Sequence, residues 1–217
     1  MEKKRRSERP LFLQAPHLKW PFIQNKAEEF RREYVDPINR IPVPIVNITE
    51  IKLGIQPIPI QGLMSRIDVD GFLTNDLKYI VIDKEIYMDE RRETRLRFTY
   101  AHEVGHLILH EKEIKQCDFR TQDMWMHFHE DFLKDELNWF ENQAREFAGR
   151  LLVPKERLIE EMQNLREKID KLKSLLDDEK EALVDAISRE ICGKFNVSPQ
   201  VIQKRIRIEK IWEELDF

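Results

Sequence analysis

Tyr100-Ala101-His102-Glu103-Val104-Gly105-His106-Leu107-Ile108-Leu109-His110 is the stretch around which the rest of the chain is organised. It contains one H-E-x-x-H, set in a run whose positions Leu96, Thr99, Val104, Leu107 and Ile108 have helical spacing. On a helix, His102 and His106 lie on one face, one turn apart. Both imidazoles can then reach a single small cation. Glu103 lies about 100° round from His102, placed to touch a water on that cation without ligating it. Ala101, Val104, Leu107, Ile108 and Leu109 flank the histidines, so the helix is expected to be largely buried. Buried imidazoles and carboxylates need partners. The bland alternative, a surface helix with scattered histidines, leaves those apolar neighbours unexplained.

A catalytic zinc takes three protein ligands and leaves its fourth position to water. The third ligand is sought in Asn138–Leu152, where Phe140, Ala144, Phe147, Ala148 and Leu151 mark a second helix. Glu141 shares a face with Ala144, Arg145 and Ala148, and the small residues there permit close approach to the first helix. Glu146 is about 500° further along, on another face, expected nearer solvent. Glu141 is therefore the favoured ligand beside His102 and His106, with Glu103 as the base and Zn2+ as the ion (Mn2+ being the alternative). His110 lies ~12 Å along the axis from His102, too far to share that ion. It is expected at the helix C-terminus, facing the dipole. His127 and His129, in the polar connection 111–131, are open as a competing ligand or as an oxyanion donor. Tyr100 points roughly opposite His102 and suits neither role.

Further segments point the same way. His102–His106 followed by Glu141-x-x-Ala144-x-x-Phe147-Ala148-x-x-Leu151-Leu152-x-Pro154 resembles the ImmA/IrrE family of metallopeptidases. So do Asp70-Gly71-Phe72-Leu73, Tyr79-Ile80-Val81-Ile82-Asp83, Arg91-Arg92-Glu93-x-Arg95-x-Arg97-Phe98-Thr99 and Phe195-x-Val197-Ser198. The resemblance spans residues 26–210. It implies zinc on His102, His106 and Glu141, with Glu103 as catalytic base. It also implies an α+β, gluzincin-like core whose small, mostly antiparallel sheet packs on the H-E-x-x-H helix, followed by a helical C-terminal region. Members of the family act on helix-turn-helix transcriptional repressors, often of mobile elements or stress regulons. The implied substrate is such a repressor, and the implied outcome is derepression. Arg145 and Glu146 depart from the family, standing where relatives often carry Asn and a small residue.

The 217 residues suit one domain with appendages: 1–25 as an arm, 26–160 as the peptidase core, 161–217 as a helical end. Hydrophobic residues make up 41%, enough for a core, and the charge is mixed, with a net of −4. That balance argues against a dedicated nucleic-acid binder, which would carry a basic excess. Cys117 and Cys192 lack metal-ligand spacing and read as free thiols of a reducing cytoplasm. The basic start is followed only by Leu11-Phe12-Leu13, too short for a secretory core, and no stretch approaches the ~20 apolar residues of a membrane span. The expected location is cytoplasmic. The first ten residues read as a solvated tail, and the arm 1–25 as either mobile or docked through Trp20, Phe22 and Ile23.

Ala27–Tyr34 reads as a short amphipathic helix that stops before Asp36-Pro37. Val46–Leu53 reads as another, closed by Gly54. Ile55–Ile60, with its prolines, suits an edge strand. Residues 66–74 and 77–83 read as a hairpin turning at Asn75-Asp76. By resemblance, the Tyr79–Asp83 strand is assigned the sheet edge to which an extended substrate adds. Asp89 or Thr94 is expected to cap the metal helix, and Arg91, Arg92, Arg95 and Arg97 to form a solvated, ion-paired face.

Beyond Pro154, Leu165, Ile169, Leu172 and Leu176 form a 4-3-4 seam, and Leu183, Ile187 and Ile191 resume it after Asp177-Asp178. This is an antiparallel helical pair or one long helix. Phe195–Arg205 resembles half of a helix-turn-helix, with Ser198 as cap and Pro199 at the first helical position; its more natural place is packed on the core. The second functional class is accordingly a non-catalytic, zinc-containing regulator that binds DNA or a repressor through residues 195–210. A third possibility is an enzyme held latent until the 111–131 connection is ordered.

Overall fold

The structure, a computed structural model, describes residues 14–116, 134–175 and 179–215. It is a mostly helical α+β fold with one three-stranded sheet. The chain enters as a strap, residues 14–19, then forms α1 (Trp20–Tyr34). Ile23, Ala27 and Phe30 bury one stripe of α1. The helix thus starts about two turns before Ala27, with Pro21 in its first turn where a missing N–H costs nothing. It ends at Val35 as expected, since Asp36 precedes a proline. Ile45–Asn47 (α2) runs on into a π-turn over Ile48–Lys52, and Gly54 at φ 72° releases the chain into the sheet.

The strands are β1 (Gln56–Ile60), β2 (Gly71–Leu73) and β3 (Tyr79–Asp83), in spatial order β1-β3-β2. β1 is an edge strand, as Pro57 and Pro59 require, since neither can donate to a ladder. Four expectations need correction here. The sheet is mixed: β1 pairs with β3 in parallel over Gln56↔Tyr79 to Ile60↔Asp83, and only β2 pairs antiparallel. The hairpin is shorter than 66–83, because Leu63–Ile67 forms a helix (α3) and β2 starts at Gly71. Its turn is also wider than Asn75-Asp76: Thr74 N donates to Tyr79 O, and Leu77 takes φ 59° between them. Finally, Tyr79–Asp83 is the central strand, paired on both sides, so it offers no edge to a substrate. The free edge that packs beside the metal helix belongs to β2.

α4 (Lys84–Met88) is capped by Asp83, whose Oδ1 accepts from Glu85 N at 2.9 Å. A 3₁₀ turn, Glu90–Arg92, leads into α5 (Glu93–Lys115), the helix that carries the two histidines. Asp89 caps that turn rather than α5 itself, accepting from Arg91 N at 3.1 Å. Arg91 and Arg92 are ion-paired on the surface, and Arg95 grips Asp70 through both carboxylate oxygens at 2.8 and 2.6 Å. Arg97 departs from the expected solvated face. It is buried, donating to Val43 O at 2.7 Å and Asn196 O at 3.2 Å, and so ties the start of α5 to two distant segments.

α6 (Lys134–Leu152) packs along α5 on one side and α1 on the other. α7 (Lys155–Gln163), α8 (Arg166–Leu175), α9 (Lys180–Phe195), α10 (Pro199–Ile208) and α11 (Ile211–Glu214) complete the chain. α8 and α9 are two helices, and Lys168 near the start of the first pairs with Glu190 toward the end of the second at 2.8 Å, as in an antiparallel pair. Residues 176–178 lie outside the described residues, as do His127, His129, Cys117 and most of 111–131. α10 starts at Pro199 after Ser198 and buries Ile202, Arg205 and Ile206. Its basic side chains are engaged: Arg205 with Glu146, Lys204 with the same carboxylate at 3.8 Å, Arg207 with Glu181. A helix so committed packs on the core, as expected. No described helix is long and apolar enough to cross a membrane.

Candidate metal centre

Three residues converge. The Nε2 atoms of His102 and His106 lie 3.1 Å apart, and Glu141 on α6 brings Oε2 to 3.1 Å from the first and Oε1 to 3.5 Å from the second. Among the described residues this is the group of metal-ligand side chains that meets, with all its ligand atoms within 4.8 Å of one another. The approach of the two helices makes it possible. A Cβ placed on Gly105 would stand 2.9 Å from Ala144 O and 3.2 Å from Ala144 Cα. Only glycine lets α5 come this near α6, and Ala144 on the facing side is the small residue that the sequence suggested. Gly105→Ala is expected to force the helices apart, costing about 1–3 kcal/mol and weakening metal binding. Urea unfolding and a metal titration would register both effects.

The electrostatics suit a cation. Burial alone would raise the pKa of Glu141, but the His102 and His106 imidazoles hold it well below the usual carboxylate range. Burial would lower His102, yet the Glu141 carboxylate overrides this and its pKa is raised; His106, deeper, is lowered by burial. Without a metal, the site thus keeps an anionic carboxylate, one imidazole inclined to hold a proton and one neutral imidazole. A divalent ion held by these three groups would displace that proton, the usual coupling of metal binding to proton release. The donor set of two imidazoles and one carboxylate fits zinc and leaves a fourth position. His106 is 6% exposed at its side chain, against 15% for His102 and 16% for Glu141, so the group opens to solvent on one side only.

Glu103 is 3% exposed, and its Oε2 accepts a 2.8 Å hydrogen bond from the Leu73 N–H of β2. Burial pushes its carboxyl up to about 8; the His102 imidazole opposes this and Glu141 adds to it. The sequence placed Glu103 beside the ligands but gave no hint of the β2 amide that holds it. Tyr100 points away, as expected, with its hydroxyl donating to Glu50 on the π-turn. Glu146 is on the other face, as expected, but it is not near solvent: it is 3% exposed and bonded to Arg150 and Arg205 at 2.8 Å each.

His110 is more deeply engaged than its position on the helix suggests. α5 kinks at His110 itself (φ −130°, ψ 19°), so the residue closes the helical segment that carries His102 and His106, as expected, and a further segment runs on to Lys115. It is fully buried, stacks on Phe140 with centroids 4.0 Å apart, and its Nδ1 lies 2.9 Å from His106 Nδ1. Its Nε2 lies 2.9 Å from Gln143 Oε1, and Gln143 Nε2 donates to Pro16 O at 2.7 Å. The signal was present as a third histidine at the same four-residue interval, with Gln143 two positions beyond Glu141. Counting only possible ligands passed over it.

The class that this α+β fold and its His-His-Glu group describe is that of the metal-dependent peptidases. Residues 64–207 match the family model Peptidase_M78, the IrrE N-terminal-like domain, and the chain belongs to that family of peptidases. The resemblance read from the sequence is thereby borne out at the level of the family. None of the curated proteins matches the chain.

Proposed function

We propose that the protein is a zinc-dependent endopeptidase, with His102, His106 and Glu141 holding the ion and Glu103 serving as general base. The observation that carries this reading is the convergence of the three ligand groups beside the buried carboxyl of Glu103. A zinc ion held there supplies a Lewis acid and brings the pKa of water toward neutrality. Glu103 takes a proton from the attacking water and passes it to the leaving amine. The Leu73 amide keeps the Glu103 carboxyl oriented while the proton moves. β2, the sheet edge on the metal side, is the place for an extended peptide to add as a further strand. This arrangement is gluzincin-like: two histidines on one helix, and a glutamate from the next described helix.

The substrate reading rests on the family. A helix-turn-helix transcriptional repressor is the proposed protein substrate, and derepression of a mobile-element or stress regulon the proposed outcome, in the cytoplasm. The test is elemental analysis of the purified protein, coupled to cleavage of the repressor encoded beside its gene. About one zinc per chain and metal-dependent cleavage are expected. Intact repressor after prolonged incubation with the zinc-loaded protein would remove the substrate assignment.

Metal removal has its own expected outcome. Stripping the protein with a chelator should lower its Tm, and added zinc should restore it, because an ion that binds only the folded state stabilises by mass action. At zinc 100-fold above its Kd the gain is about 2.7 kcal/mol. Glu141→Gln should abolish that recovery. A zinc-induced rise in Tm that survives Glu141→Gln would place the ion elsewhere.

A further inference from the structure

The strap of residues 14–19 lies against α6. Ala15 N donates to Glu136 Oε2 at 2.9 Å, Pro16 O accepts from Gln143 Nε2, and Trp20 packs on Trp139 with centroids 5.3 Å apart. Residues 136, 139 and 143 recur at helical spacing, so the strap follows one stripe of the helix. Ala15 is buried, although it lies in an irregular segment near the start of the chain.

Donor and acceptor roles can be assigned along the line from the strap inward. The Pro16 carbonyl can only accept, so the Gln143 amide nitrogen faces it and Gln143 Oε1 faces His110. His110 must then carry its proton on Nε2. It is fully buried, stacked on Phe140 and next to a second imidazole, so it is neutral and has one N–H. Its Nδ1 is therefore a lone pair, which accepts from His106 Nδ1–H at 2.9 Å. His106, with its proton on Nδ1, has its lone pair on Nε2, the atom that faces His102 and Glu141.

We propose that the strap, acting through Gln143 and His110, is a positioning relay that fixes His106 in the tautomer able to ligate, so that docking of the strap sets the affinity of the metal centre. The proposal rests on the metal reading above for its consequence, but not for the tautomers, which exist without metal. Loss of outer partners of a ligating histidine characteristically weakens metal binding 10–100-fold. Here the outermost partner is a main-chain carbonyl on the strap. Anything that lifts that segment from α6 loosens the ion without touching a ligand.

The test uses the full chain, a Gln143→Leu variant, a Gln143→Glu variant and a chain lacking residues 1–16. In metal-free, 15N-labelled protein, long-range 15N–1H spectra should show His110 as the Nε2–H tautomer and His106 as Nδ1–H. Gln143→Leu and the truncation should mix the tautomers. Competition with a chromophoric chelator should show zinc affinity reduced 10–100-fold in both. Gln143→Glu cannot donate to Pro16 O as the amide does and sets two acceptors against each other there, so it should lower zinc affinity in the full chain, and removing residues 1–16, which takes the opposing carbonyl away, should not lower it further. Far-UV circular dichroism and Tm separate a folding defect from a relay defect; the truncation keeps every side chain of α6 in case Gln143→Leu unfolds. Wild-type tautomers and zinc affinity in both Gln143→Leu and the truncation would overturn the relay. If the full chain binds no zinc at all, the metal reading fails, and the metal-free spectra still decide the tautomers.

Discussion

Glu103→Gln should lower peptide-bond cleavage by about 10²–10⁴-fold, the range a positioned general base supplies, while leaving metal content unchanged. Glutamine keeps an oxygen to accept from Leu73 N–H, so the side chain stays in place and only its capacity to take a proton is lost. The measurements are zinc stoichiometry and single-turnover cleavage of a candidate repressor. Full activity in this variant would end the assignment of Glu103 as base. A second readout comes from stability without metal. Burial raises the carboxyl of Glu103 from 4.5 to about 8, so between those values the folded chain holds a proton that the unfolded chain has released. Wild-type stability therefore falls as pH rises across that interval. The glutamine variant lacks this slope, so its metal-free form should gain on wild type between pH 5 and pH 8 in urea midpoints.

Glu146→Ala should cost about 3–5 kcal/mol, the penalty for removing one member of a buried ion-pair group. Glu146 is 3% exposed and bonded to Arg150 and Arg205, which are themselves 9% and 2% exposed. Glu209 is then the remaining carboxylate for both arginines. Burial already depresses the Arg205 guanidinium to about 10, and Arg150 beside it pushes the same way. The expected result is a large drop in urea midpoint, with α10 loosened from α6. A loss below 1 kcal/mol would mean that solvent reaches the arginines as soon as the carboxylate goes. The sequence signals Glu146 only as a departure from relatives; its partner is 59 residues away, where no spacing rule reaches.

Those two predictions mark where sequence reading works and where it stops. His102, Glu103 and His106 were legible because one helical turn fixes their relation, whatever the rest of the fold does. Glu141 was legible because Ala144 and Ala148 mark the face of α6 that can approach another helix. The edge role of β1 could be read from its prolines. Strand order could not: hydrophobic alternation says that Tyr79–Asp83 is a strand, but not that β1 pairs beside it and closes its edge. Arg97 and Glu146 were misplaced for one reason, which also hid the partners of His110. Both looked solvated on their own helices, yet each is buried against a segment distant in sequence, as His110 is against Gln143. Burial of a polar side chain depends on the partner, and the partner lies in another element.

The contact between Gly105 and Ala144 carries one more implication. Gly105 precedes His106 and Ala144 follows Glu141 by three positions, so main chain touches main chain within a turn of two ligands. The gap between the jaws of the site is thus set by peptide groups, which cannot swing aside as rotamers do. Such a vice suits a small ion content with few donors and leaves calcium, which needs six to eight oxygens at about 2.3–2.6 Å, without enough partners. How near His102 and His106 stand to Glu141 is thus fixed by how closely two helix axes lie.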